Sequence, residues 1–501
     1  MRPADQSPAP HGGDTIRRNT AFAFASQLAT ASFTAILTIF LVRKLGPEDY
    51  GVFALAVSVA SLIFLPADFG ISQSTARFVA EHRGEQNRIT AVLSDGLKLK
   101  LIAAGSLCAL LFALAEPISN AYDAPEMAWP LRAVALAVFG QSIVGYYRTA
   151  FEALGRVSLT LRLIAAESAV EASASIALVL LGAGVTGAAF GRAIGYGFGA
   201  LFAFVLIVRA VGPRAVSLRR GDTGGRVKDI ARYAGALLII DAVFAVITQI
   251  DVLLIGAILG TTAVGVFQAP TKLITFLHYP GLALSAGVSP RLSRGGPGGP
   301  NVSAFQDGIR YLMILQAALV VPVVVWAGPI ADVILGSGFE ESADVLRAMG
   351  PFIYLFGLAP LVSVGVNYLG EARRRIPVAI AALIVNFGVS IVLLNEIGVV
   401  GSAIGADAAY LIYVPAHFWI CKQLLGLPMR PVAATFVRTL ASGGAMAAVM
   451  IGFGTEDLTL LDWLAGGATG IATYCVCLVL TGEVKRTELL SIRRALARRI
   501  G

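Results

Sequence analysis

Apolar residues along this chain neither alternate with period two nor mark a single helical stripe; they run in blocks closed by short polar or glycine-containing breaks. A helix needs about 20 consecutive apolar residues to cross a bilayer core. Fourteen blocks meet that length, at 19–42, 51–70, 97–117, 129–150, 163–182, 185–208, 234–256, 263–287, 307–331, 346–369, 376–395, 399–421, 437–455 and 463–481. The pattern predicts an all-α polytopic membrane protein with about fourteen transmembrane helices. Arg17 and Arg18 precede the first block as in a secretion signal. That block is longer than the roughly 7–15 residues of a signal core and lacks a small-residue cleavage site, so it is read as a retained helix.

Composition narrows the function classes. Of 501 residues, 56% are hydrophobic and 14% charged, against roughly a quarter charged in soluble domains. No stretch between blocks reaches the roughly 50–200 residues of a folded domain, so a separate nucleotide-binding or glycosyltransferase module is excluded. No G-x-x-x-x-G-K-[ST] loop is present, and direct use of ATP has no support. Cys108, Cys421, Cys475 and Cys477 all lie in or at the ends of apolar blocks. Cys475-x-Cys477 has no third ligand nearby, so the cysteines read as packing residues, and neither a metal nor a cofactor is expected.

The net charge of +8 does not read as a nucleic-acid surface, because the basic residues are interleaved with apolar blocks instead of forming one stripe. They sort by side of the membrane: 33 of the 39 Lys and Arg fall in the tails, loops and interfacial block ends of one side, three (Arg43, Lys44 and Arg347) on the other, and three (Arg132, Arg192 and Lys272) deeper within blocks. Basic loops stay in the cytoplasm, which places both termini inside. The richest loop, Arg209 to Arg232, carries seven basic residues and suits anionic lipid head groups. The run Glu483 to Arg499 reads as a basic amphipathic helix on the inner surface.

The chain also repeats itself. LGPEDYGVF from Leu45 recurs as LGTTAVGVF from Leu259, and GVTGAAFG from Gly184 recurs as GVVGSAIG from Gly398, both at an offset of 214, with Tyr196 matching Tyr410. Each copy holds six blocks, an even number, so the copies enter the membrane in the same orientation and are related by an axis along its normal. The expected organisation is a cytoplasmic tail at 1–18, an N-lobe at 19–208, a basic linker at 209–233, a C-lobe at 234–421, two added helices at 422–481, and a basic cytoplasmic tail at 482–501. Two such parallel-related six-helix lobes are the design of an alternating-access transporter. The glycines from Gly182 to Gly199 suit close helix packing.

The stretch VRKLGPEDYGVFALAVSVASLIFLPADFGISQSTARFVAE, Val42 to Glu81, resembles the start of the O-antigen-type polysaccharide flippases of the multidrug/oligosaccharidyl-lipid/polysaccharide exporter superfamily; LGPEDYG, ADFGISQ and Arg77 are its specific parts. Weaker similarity continues through Ile250 to Phe267 and Leu335 to Gly370. The resemblance implies a bacterial inner-membrane protein that moves an undecaprenyl-diphosphate-linked oligosaccharide from the cytoplasmic to the periplasmic leaflet, alongside glycosyltransferases and a polysaccharide polymerase. The alternatives are a small-molecule extruder of the same superfamily and, more remotely, a membrane-embedded polymerase or ligase.

A lipid-linked sugar must carry its diphosphate and glycan through a core where each unpaired polar group costs several kcal/mol. The ionisable residues inside the blocks are Asp68, Arg132, Glu167, Glu171, Arg192, Asp241, Asp251, Lys272 and Asp407. Lys272 is a candidate for the diphosphate as a point charge, and Asp241 and Asp251 for pairing with it or for proton or sodium coupling. Arg77 and Arg291, also 214 apart, are candidates at the cytoplasmic entrance, and Arg132 and Arg192 for the translocation path. Glu167 and Glu171, four apart, share a helix face.

Overall fold

The computed structural model describes residues 16–67, 70–82, 84–217, 243, 245–292 and 300–484. Every regular element among them is helical. The chain divides into two compact units, Met1–Gly265 and Val266–Gly501.

The first unit opens with α1 (Ile16–Ile63), which is two helices meeting at Gly46 (φ 75°, ψ 178°) just before Pro47. A left-handed residue followed by proline breaks the ladder where the sequence predicts a break. A 3-10 turn at Leu65–Ala67 leads to α2 (Ile71–Glu81), α3 (Gln86–Ala121), α4 (Ala128–Ala153), α5 (Val157–Leu178) and α6 (Gly184–Val211). A short helix, α7 (Ala245–Leu259), follows. The core gathers around Tyr146, Tyr147 and Phe151 of α4, which pack with Leu93 of α3, Leu163 of α5 and Ile207 of α6. The open carbonyls at the end of α6 are capped from elsewhere: Arg156 donates to Ala210 at 3.0 Å and Gln86 to Val211 at 2.5 Å, satisfying acceptors that a helix terminus leaves unpaired.

The next helix, α8 (Thr261–Ile274), has its first turn in the first unit. The second unit continues with α9 (Tyr279–Val288), α10 (Val302–Val325), α11 (Ala327–Ile334), α12 (Glu341–Ala348), α13 (Gly350–Tyr368), α14 (Arg375–Ile397), α15 (Val399–Leu425), α16 (Met429–Gly452) and α17 (Leu460–Leu480). Helix α10 packs on α16, and α16 on α17. Just past α17, the buried Glu483 accepts from Arg310 Nε at 2.8 Å, Thr435 at 2.8 Å and Arg438 at 3.1 Å, which ties the chain end to α10 and α16. Between the predicted blocks 307–331 and 346–369, the stretch 332–345 is helical at both ends, α11 running to Ile334 and α12 starting at Glu341, with turns between them.

Ten helices among the described residues are long and apolar enough to cross a membrane. Two of these ten are double: one bends at Gly46, and the other, Val157–Val211, turns at Gly182 between the predicted blocks 163–182 and 185–208.

Backbone geometry follows the sequence repeat. Gly46 and Gly260, 214 apart, both have positive φ (75° and 86°), as do Gly184 and Gly398 (52° and 66°). A Cβ on Gly51 would overlap the Thr261 carbonyl, and one on Gly265 would overlap the Pro47 carbonyl. Position 47 matches 261 and 51 matches 265 in the repeat, so this contact within the first unit is reciprocal.

Candidate functional site

A cavity of about 410 Å³ lies within the first unit, among the end of α1, the turn Leu65–Ala67, α2, α3 and α4. Its size falls in the range of small-ligand sites, roughly 300–1,000 Å³. Local sequence explains its polar walls. Gln141, Gly145, Arg148 and Thr149 of α4 recur at helical spacing, so they share one face, and all four line the cavity. The opposite face of α4 packs on α6, where the absence of a Cβ at Gly140 admits the Tyr196 backbone. Gly70, left-handed at φ 66°, starts α2 directly after the 3-10 turn and brings Ser72 and Gln73 to the wall.

Two cations belong to this wall, Lys100 of α3 and Arg148 of α4. Lys100 is 3% exposed. Arg148 is about half exposed, with Glu152 one turn on at 3.7 Å, a loose pair of the kind worth at most about 1 kcal/mol. Around them stand Ser61, Gln73, Gln141 and Thr149, and the described wall contains no carboxylate. Two positive groups among hydroxyl and amide donors form a site for an anion carrying hydrogen-bonding groups.

The second unit has a cavity of about 450 Å³ of opposite character, lined by α10, α13, α15 and α16 through residues such as Val320, Val324, Tyr354, Leu411, Phe436 and Leu440. It offers an apolar chain a surface and an anion no charged group among the lining residues.

The residues singled out in the sequence are placed as follows. Arg192 on α6 lies 2.5 Å from Glu171 of α5 and covers the Tyr196 ring at 5.0 Å. Arg132, in the first turns of α4, reaches Glu116 at 3.4 Å and stacks over Trp129 at 4.9 Å, a combination typical of a membrane interface. Arg77 is exposed on α2, paired with Glu81 at 2.8 Å. Arg291 is exposed in the turn Ser289–Leu292. Lys272 is exposed in the last turn of α8, and Asp251 is buried on α7. Asp241 and Asp68 lie outside the described residues, as do nearly all of the basic loop Arg209 to Arg232 and of the run Glu483 to Arg499. Asp407 is buried on α15 and accepts from the Phe352 backbone N–H at 2.6 Å, capping the N-terminus of α13. The structure unites Glu171 with Arg192 and with Glu167, buried one turn away. None of the six described candidates is on the cavity wall.

Sequence reasoning assigned Lys100 and Arg148 to the inner ends of blocks, as topology charges. Two signals pointed further. Lys98 and Lys100, two apart, leave the helix on different sides, so one interfacial role does not serve both. The stripe Gln141, Gly145, Arg148 and Thr149 gives block four a polar face it would not need in lipid.

An all-α chain with a charge-lined cavity set in apolar helices defines a polytopic membrane protein of transporter type. The chain belongs to the polysaccharide biosynthesis protein family, whose profile matches residues 16–295. Among curated relatives, it is 21% identical over 411 residues to a protein of Shigella flexneri designated an O-antigen transporter, covering 77% of this chain and 92% of that protein. It is 20% identical over 487 residues to a protein of Haloferax volcanii designated a low-salt glycan biosynthesis flippase, covering 96% and 99%. The fold is shared with the lipid II flippase MurJ in an inward closed conformation, at TM-score 0.75 and 14% identity over 92% of this chain and 98% of that one. An inward-facing multidrug resistance transporter of the MATE family aligns at TM-score 0.69 and 16% identity over 81% and 98%.

Proposed function

We propose that this protein translocates a lipid-linked oligosaccharide or polysaccharide repeat unit, carried on undecaprenyl diphosphate, from the cytoplasmic to the periplasmic leaflet of the bacterial inner membrane by alternating access. The observation that carries the reading is the cavity with Lys100 and Arg148 and no described acid. A diphosphate is the part of such a cargo that most needs cations inside a bilayer, and two fixed positive charges lower its transfer cost. The designations of the two relatives support a glycan cargo. On the orientation given by the basic loops, the ends of helices that enclose the cavity face the cytoplasm, where glycosyltransferases complete the cargo; a polymerase would receive it on the other side.

Energy for an anion leaving the cell is available from the membrane potential, about 2.3 kcal/mol per charge per 100 mV. Proton or sodium exchange through buried acids adds to that supply.

The test is made in a strain whose own flippases are deleted. Expression of this chain is expected to clear glycan-lipid stranded on the cytoplasmic leaflet and restore surface polysaccharide. Glycan-lipid that stays stranded while susceptibility to cationic drugs falls would replace this reading with a drug extruder.

A further inference from the structure

Behind the α4 wall of the cavity, α5 and α6 enclose a second group of ionisable side chains. Gly191, Gly195 and Gly199 run down one face of α6, and an added Cβ on each would overlap Ser175, Glu171 and Glu167 of α5 in turn. The two backbones touch along this seam and carry Glu167 and Glu171 into it at 5% and 8% exposure. Arg192 Nη1 binds Glu171 Oε1 at 2.5 Å, while Glu167 Oε1 has no hydrogen-bond partner.

The other charges facing the seam are few. From α6 comes Tyr196, beneath the Arg192 guanidinium. On α4 the cation is Arg148, which lines the cavity and pairs with Glu152 at 3.7 Å. Helix α1 also packs on α5, and its stretch 19–42 contains no ionisable residue; on α5 itself the nearest other charge is Arg162, more than a turn away. With both acids ionised, Glu167, Glu171 and Arg192 carry a net charge of −1 in the seam, since Arg148 is half-exposed and has its own partner in Glu152. Adjacent carboxylates resist joint ionisation, and an uncompensated buried charge is costly. One proton removes it.

We propose that Glu167, Glu171 and Arg192 form a proton-binding site in which Glu167 Oε1 carries the proton while Arg192 binds Glu171. Loading forms an O–H bond between Glu167 Oε1 and a proton taken from water, and the group passes from −1 to neutral; unloading returns that proton to water. The site is coupled to the cavity through one helix. Val144 of α4 touches the same seam at Gly199, and the neighbouring Gly145 and Arg148 line the cavity. Only this link to cargo rests on the transport reading above; the proton site is measured without cargo.

The experiment is infrared spectroscopy of the purified full-length protein in lipid nanodiscs. At neutral pH the wild type is expected to show the C=O stretch of a protonated carboxyl, lost in Glu167→Gln and also in Glu171→Gln. In the second variant one acid faces one arginine, no proton is required, and Glu167 ionises; a residue with a merely structural role would not behave so. Should Glu167→Gln fail to fold, Glu171→Gln decides alone. A wild type without the band, or either folded variant retaining it, overturns the proposal. So does loss of the wild-type band on adding sodium chloride but not choline chloride, which would make the ligand sodium.

Discussion

The helix pair α5–α6 in the first unit and the pair α14–α15 in the second occupy matching positions in the repeat and solve the same packing problem with different chemistry. In both, a glycine lets the backbones close: Gly191 on Ser175, and Gly405 on Ser390. In the second unit the neighbour is neutral, with Ser390 Oγ donating to Asn386 Oδ1 at 2.9 Å. In the first unit the residue one turn before the serine is Glu171, bound to Arg192. Arg192 matches Ala406, and Tyr410, which matches Tyr196, packs instead in an aromatic group with Phe352 at 4.8 Å and Phe356 at 5.8 Å. The shared glycine crossing is architecture. The charges were not needed to build it, because the second copy does without them, so their presence in the first copy calls for a functional explanation.

The hardest way to break the comparison is to fill the first seam. Gly191→Ala places a methyl against the backbone N and Cα of Ser175, which no side-chain truncation relieves, and is expected to cost about 3 kcal/mol, the upper range for overpacking. Thermal melting in detergent checks it. Gly405→Ala meets the Ser390 hydroxyl instead, so its cost should be smaller and should largely vanish in a Ser390→Ala background. If Ser390→Ala gives no relief, the two seams do not differ as described.

A second break transplants charge. Asn386→Glu puts a carboxyl into a seam whose arginine position holds Ala406, and is expected to destabilise by about 2.5–3.5 kcal/mol, the insertion cost of a lone charged group. Adding Ala406→Arg should recover part of that loss in the same melt. No recovery would mean that the first seam tolerates its acids for a reason other than the arginine.

The smallest effect concerns Glu483, outside the spans. Burial pushes its carboxyl up, but hydrogen bonds from Thr435, Arg310 and Arg438 outweigh burial and hold it below its ordinary value. A group with a lowered folded value stabilises the fold above its unfolded value, about 4 for Glu, and loses that stabilisation as pH falls through the folded value. The melting temperature should therefore drop on acidification, and Glu483→Gln should lower it at neutral pH and flatten the acid limb. An acid limb unchanged in the variant would exclude Glu483 as its source.

Much of the fold was legible because it rests on local constraints. Long apolar blocks name the helices, and Gly46, Gly260, Gly184 and Gly398 mark breaks that only a left-handed residue makes. The sites were harder to read because one charge serves opposite roles depending on its helix face. Arg132 resembles Arg192 in sequence, yet one meets Trp129 at an edge and the other is partly buried against Glu171. Lys100 was counted with Lys98 as a topology charge, and only the packing of α2, α3 and α4 assigns it to the cavity. Asp407 reads in sequence only as an ionisable residue inside a block, and its partner, the Phe352 backbone N–H, is a contact no spacing rule announces.

The central claim, that Lys100 and Arg148 receive the anionic head of a lipid-linked glycan, is tested most directly in proteoliposomes holding undecaprenyl-diphosphate oligosaccharide and an imposed potential, negative on the protein's cytoplasmic side. The account predicts potential-dependent transfer to the opposite leaflet and, for Lys100→Gln or Arg148→Gln, a fall of roughly tenfold or more, the loss of one charged hydrogen bond of about 1.5–3 kcal/mol. Both variants transferring the cargo at the wild-type rate would contradict it.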